Sequence, residues 1–233
     1  MTYRAVFFDA GETLVHPHPS FPDLFASVLR SEGIEVSERQ VHDNVHVIVD
    51  RFAAAAADND LWTTTAGRSR AFWHSVYEAF LDQLGIPAAN GLHDTLYREF
   101  TDLSNYALFD DVVPILERLR PTGIVLGVIS NFEEWLERLL EMLGVAGFFD
   151  VRVISGIEGV EKPDPAIFRL ALERAGVRPE ETVYVGDSPA FDVEPARELG
   201  MFPVLIDRRG RYPDAASARI ASMADLPLAI GLA

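Results

Sequence analysis

Residues 3–13 read YRAVFFDAGET. The β-branched and aromatic run from Tyr3 to Phe8 stops at Asp9 and then Gly11, the pattern of a short buried strand that ends in a loop. The same punctuation recurs in the second half of the chain. Strands are expected at Ile124–Ile129, Phe149–Ile154, Thr182–Val185 and Phe202–Ile206, alternating with helices at Val112–Leu119, Glu133–Leu143, Pro165–Ala175 and Phe191–Leu199. Strand and helix in turn, with short Gly and Pro joints, signal βαβ units and a parallel sheet. Between Phe21 and about Tyr106 the rhythm is helical instead. Ser37 with Gln40 forms a capping box that opens a helix through Ala57. A second helix runs from about Thr65 to Leu84 and a third from Leu92 to Leu103, and no strand is expected in this stretch.

The expectation is therefore an α/β protein. A Rossmann-like parallel sheet core with helices on both faces is built from residues 1–15 and 107–233, and an α-helical domain is inserted at residues 16–106. Composition fits a packed globular chain: 233 residues, 48% hydrophobic and 24% charged. Twenty Lys and Arg against 36 Asp and Glu leave a formal charge of −16, which argues against a nucleic-acid partner or an anionic membrane surface. With no cysteine there is no disulfide, zinc-thiolate site or thiol nucleophile. Apolar runs fall far short of the ~20 residues of a membrane span. The start lacks the form of a signal peptide, so a cytoplasmic protein, monomer or homodimer, is expected. Of the 20 basic residues, 19 are arginine and Lys162 is the single lysine.

Ligands of open parallel sheets bind outside the carboxyl ends of the strands. Asp9, Ser130 and Asp187 each end a strand, and Lys162 precedes Pro163 and a helix. A lone Asp after a strand is most often a cap or turn residue; four reactive groups on one rim are harder to read that way. Asp9-Ala10-Gly11-Glu12-Thr13, Ile129-Ser130-Asn131, Glu161-Lys162-Pro163-Asp164-Pro165 and Gly186-Asp187 through Asp192 resemble, in order, the four motifs of the haloacid dehalogenase (HAD) superfamily. The insertion resembles that family's helical cap. The resemblance implies Asp9 as nucleophile, Ser130 as donor to a phosphoryl oxygen, and Lys162 as the cation between nucleophile and bound anion. It implies Mg²⁺ held by Asp9, the Gly11 carbonyl and Asp187, with Asp192 supporting the metal shell directly or through Lys162 or water. That oxygen-only set suits a hard cation.

One position departs from the pattern. HAD phosphatases carry a second Asp two residues after the nucleophile, as general acid and base, and here that residue is Gly11. Three readings stay open. One is a Mg²⁺-dependent phosphatase of a small phosphorylated metabolite, borrowing a proton carrier from Glu12, His16 or His18. Another is a 2-haloacid dehalogenase, whose halide leaves without a proton. The third is a low-turnover binding protein. Substrate contacts are expected from Asn131, Arg68 and Arg70. Trp62, Phe72, Trp73 and Phe80 read as packing, Ala53–Ala57 as close helix contact, and His42 and His46, four apart on one helical face, as surface residues.

Overall fold

The computed structural model describes residues 3–58, 62–88 and 91–232. Strand β1 (Ala5–Phe8) has all four residues fully buried. The chain then leaves through β2 (Val15–Pro17) into helices α1 (Phe21–Ser31), α2 (Glu38–Asp43), α3 (His46–Asp58), α4 (Ala66–Gln83) and α5 (Leu92–Phe100). It returns along β3 (Tyr106–Leu108), which pairs with β2. The alternation follows: α6 (Val112–Leu119), β4 (Val125–Ser130), α7 (Leu136–Met142), β5 (Val151–Ile154), α8 (Ser155–Glu158), α9 (Pro165–Ala175), β6 (Thr182–Gly186), α10 (Glu194–Glu198), β7 (Phe202–Ile206), β8 (Ala218–Ile220) and α11 (Leu226–Ala229). Two compact units result, Met1–Val15 with Leu108–Ala233, and His16–Ala107.

In the first unit six strands form a parallel sheet in the order β5-β4-β1-β6-β7-β8. From β1 the chain steps out through β4 to β5, then crosses to the other side for β6, β7 and β8. That reversal beside β1 is the switch point where such sheets open a crevice. Alternation along β1 sends Ala5 and Phe7 into a cluster with Ile129, Val153, Phe168 and Tyr184, while Val6 and Phe8, also fully buried, face the opposite side. Helix α9 covers the first face; Asp164 caps it, Pro165 starts it, and Gly176 ends it in the left-handed conformation.

The helical unit is held by an aromatic core of Phe25, Tyr77, Phe80 and Phe100, with Phe25 and Phe80 ring centroids 4.8 Å apart. Ser20, Ser37 and Thr65 cap α1, α2 and α4. Trp62 and Phe80 are buried as packing residues, and Trp62 stacks on Phe72 at 4.8 Å.

Several expectations are corrected. The helix begun at Ser37 does not run to Ala57: Asn44 turns its side-chain amide onto the Gln40 carbonyl at 2.8 Å, competing with the backbone for it, and the chain restarts as α3. His42 and His46 thus lie on separate helices, both exposed. In the alanine run, Ala53 and Ala54 are exposed and Ala55 is buried, while the side chains of Ala56 and Ala57 lie outside the described residues. The third helix stops at Phe100. The edge strand β8 was not expected, because three residues with two small or charged side chains carry no period.

Candidate active site

Register places the polar rim. Phe8 stands opposite Val128 of β4 and Val185 of β6, so Asp9 emerges level with the ends of both neighbours, its N–H donating to the Val185 carbonyl at 2.8 Å. Ser130 closes β4, and Asp187 follows Gly186 at the end of β6. The structure brings Asp9, Ser130, Lys162 and Asp192 into one hydrogen-bonded group. Ser130 Oγ donates to Asp9 Oδ1 at 3.0 Å. Lys162 Nζ donates to Asp9 Oδ1 at 2.7 Å, Asp192 Oδ1 at 2.6 Å and the Tyr184 hydroxyl at 3.0 Å. All three ammonium protons are thereby used, and Lys162 is 2% exposed.

Burial opposes charge on Lys162, but the Asp192 and Asp9 carboxylates outweigh it and hold the ammonium well above the usual lysine range. The Asp9 carboxyl is pushed up, first by burial and then by Asp192, with Lys162 pulling the other way. Asp187 is raised further, by burial and by the negative charges of Asp192, Asp9 and Glu12. One carboxylate oxygen each from Asp9, Asp187 and Asp192 lies within 4.8 Å of the other two. Three carboxyl groups share one ammonium, and no hydrogen bond or ion pair among the described residues reaches the Asp187 carboxyl.

Two partners of Lys162 give the site its shape. Asp192 receives the ammonium through Oδ1 and the Ser188 N–H through Oδ2 at 2.9 Å, so both of its oxygens are engaged. Its carboxylate lies so close to Gly186 that a Cβ there would overlap it, which reserves that position for glycine. Tyr184, which the sequence reading passed over, donates to the Ile129 carbonyl at 2.9 Å and lies 3.1 Å from Asp192 Oδ1. A tyrosine between aliphatic neighbours in a buried strand is the signal that could have found it, since its hydroxyl needs a partner.

Asn131 differs from its expected substrate contact. Its Nδ2 donates to the Lys162 carbonyl at 2.7 Å and its Oδ1 accepts from the Lys162 N–H at 2.6 Å, a two-point clip on the main chain that carries the lysine. Arg70 also differs: it pairs with Asp94 at 2.6 Å within the helical unit. Arg68 is exposed on the first turn of α4. Glu12 adopts a left-handed backbone (φ 55°), uncommon for a side chain of its size, and its carboxylate meets Arg209 at 2.8 Å while lining a small cavity with Asp187. His16 Nδ1 lies 2.7 Å from the Pro17 carbonyl. At Gly11 the backbone is ordinary, and a Cβ would meet only Phe132 Cε2, at 3.9 Å.

This arrangement can present one carboxylate oxygen of Asp9 to an electrophile while Ser130 and Lys162 hold the other. Residues 3–200 match the haloacid dehalogenase-like hydrolase family. The chain is 45% identical over 220 residues to the glyceraldehyde 3-phosphate phosphatase of Methanopyrus kandleri, covering 91% of this chain and 86% of that one. It is 30% identical over 207 residues to the mouse haloacid dehalogenase-like hydrolase domain-containing protein 3, covering 87% and 81%. Among solved structures, the magnesium-bound Bacillus subtilis protein YfnB shares the fold with a TM-score of 0.78 at 17% identity, covering 98% of each chain. With its parallel sheet, its strand-end carboxylates and these matches, the chain belongs to the haloacid dehalogenase-like hydrolases and is a hydrolytic enzyme.

Proposed function

We propose that the protein is a Mg²⁺-dependent phosphatase of a small phosphorylated metabolite, working through an aspartyl phosphate on Asp9. The observation that carries this reading is the buried Lys162, which ties Asp9 to Asp192 and leaves Asp187 beside them with no hydrogen-bond or ion-pair partner among the described residues. The donors fit the metal: carboxylate oxygens of Asp9 and Asp187 and the Gly11 carbonyl are hard ligands around a charge deficit that a divalent cation matches. Asp192, with both oxygens taken, supports the shell through Lys162. Bound there, Mg²⁺ supplies Lewis-acid polarisation of a phosphoryl oxygen.

The steps belong to the protein's own groups. Lys162 and Ser130 fix Asp9 Oδ1, so Oδ2 is the attacking atom, and the positive charge of Lys162 beside it offsets the charge that develops on the transferring group. Attack forms the Asp9 Oδ2–P bond and breaks the bond from phosphorus to the leaving oxygen; water then hydrolyses the acyl phosphate and restores the carboxylate. Gly11 offers no proton to the departing alkoxide, so substrates with good leaving groups are favoured. The helical unit, His16–Ala107, serves as the substrate-selecting cap. The similarity to the glyceraldehyde 3-phosphate phosphatase of Methanopyrus kandleri supports a small phosphorylated metabolite as the substrate class.

Gly11 favours one competing reading, a dehalogenase, because a halide needs no acid. The discriminating experiment pairs a generic phosphate monoester, with and without Mg²⁺, against chloroacetate with halide detection. Metal-stimulated phosphate release is expected. Halide release without metal would replace the proposal with dehalogenation, and silence in both assays would make the protein a binding member of the family.

A further inference from the structure

A second group of metal-competent side chains lies wholly within the helical unit. His74 comes from the middle of α4, and His93 and Asp94 from the first turn of α5. One ligand atom from each lies within 4.8 Å of the other two. The His74 and His93 rings meet edge to face with centroids 4.6 Å apart. His74 Nε2 is shielded from water, makes no hydrogen bond, and stands 3.2 Å from Asp94 Oδ1. An unsatisfied buried ring nitrogen is costly unless something accepts its lone pair or proton.

We propose that His74, His93 and Asp94 form a binding site for a borderline transition-metal ion of the Zn²⁺ class, joining the start of α5 to α4. Two imidazoles and a carboxylate suit Zn²⁺ and disfavour Mg²⁺, which takes oxygen ligands, so this site and the core's carboxylate cluster select different ions. At Zn²⁺ bond lengths tetrahedral ligand atoms stand about 3.3 Å apart, so the present separations close by small side-chain rotations. Asp94 Oδ1, the oxygen nearest His74 Nε2, also accepts from Arg70 at 2.6 Å, so an ion bound there would share that oxygen with the guanidinium. Asp94 is half exposed, which gives the ion a path in and a water the fourth position. The two helices are separated in sequence by the turn after α4, where Gly85 takes the left-handed conformation, and a metal clip would add to the Arg70–Asp94 pair that already joins them.

The test uses the full-length protein, stripped with chelator and then kept in saturating Mg²⁺ so that the core's carboxylates are occupied. Titration with Zn²⁺ against a chromophoric chelator is expected to find one equivalent bound. His93→Gln and Asp94→Asn should each weaken it by about tenfold or more, as loss of a ligand must at least match loss of an outer-shell partner. Zn²⁺ should raise the melting temperature of the wild type and leave those variants unmoved. Arg70→Gln, which removes a neighbouring cation and no ligand, should bind at least as tightly as wild type. Absence of Zn²⁺ binding by the wild type, or wild-type affinity in both ligand variants, would overturn the proposal. Phosphatase activity does not enter the readout, so this result stands apart from the reading of the core.

Discussion

Gly11→Asp installs a carboxyl two residues beyond the nucleophile, and the structure allows the outcome to be worked out in advance. The backbone there is one any residue adopts, and the nearest atom to a new Cβ is Phe132 Cε2 at 3.9 Å, ordinary contact. Replacing a glycine without strain stabilises by roughly 0.4–1 kcal/mol through the unfolded chain. A further acid beside the Asp9, Asp187 and Asp192 carboxylates offsets that gain, so Tm should move little. The kinetic effect is larger. A positioned general acid contributes about 10²–10⁴ in rate, equivalent to about 2.7–5.4 kcal/mol of barrier. A carboxyl placed there can hand its proton to a leaving alkoxide. The assay is kcat/KM in Mg²⁺ on an alkyl phosphate, whose leaving group needs a proton, and on a nitrophenyl phosphate, whose leaving group does not. The variant should gain about tenfold or more on the alkyl ester and much less on the aryl ester. An equal gain on both, or none on the alkyl ester, would refute the claim that the missing proton limits this enzyme.

Other expectations follow from the same geometry. Asn131→Ala removes the clip on the Lys162 main chain, so kcat should fall with KM nearly unchanged; a rise in KM alone would restore Asn131 to the substrate. Lys162→Met leaves the Asp9 and Asp192 carboxylates buried without their cation and should cost about 3–5 kcal/mol in urea denaturation; a loss under 1 kcal/mol would mean water already screens them. Tyr184→Phe deletes a buried hydroxyl and strands the Ile129 carbonyl, a cost of about 1–3 kcal/mol. Away from the site, burial pushes the Asp111 carboxyl up, but two bonds from Arg208, one from Ser222 and one from the Met223 N–H outweigh it and hold it below the usual range. A depressed carboxyl stabilises the fold above its unfolded pKa of about 3.9 and loses that contribution as pH falls through its folded value. The stability gap between wild type and Asp111→Ala should therefore be wide at pH 7 and narrow near pH 3; a gap independent of pH would contradict the assignment.

The parallel core was legible because its strands are bounded by Gly and Pro and its reactive groups sit where strands stop. Asp9, Ser130 and Asp187 could be found from that position alone, and Lys162 from being the one lysine in the chain. Partners reached across sequence were not legible. The amide of Asn131 turns to a peptide 31 residues away, and Arg70 finds Asp94 24 residues on. Tyr184 hid among apolar strand neighbours. The break at Asn44 comes from one side chain taking a backbone carbonyl, an event that hydrophobic period does not register.

The central claim is that Asp9 becomes phosphorylated in turnover. Acid quench during steady-state hydrolysis of a nitrophenyl phosphate, followed by mass spectrometry of the peptide containing residues 3–13, tests it directly. The account predicts one added phosphoryl group on Asp9 when Mg²⁺ is present and none in Asp9→Asn. A phosphoryl group on another residue, or an unmodified Asp9 while phosphate is being released, would contradict it.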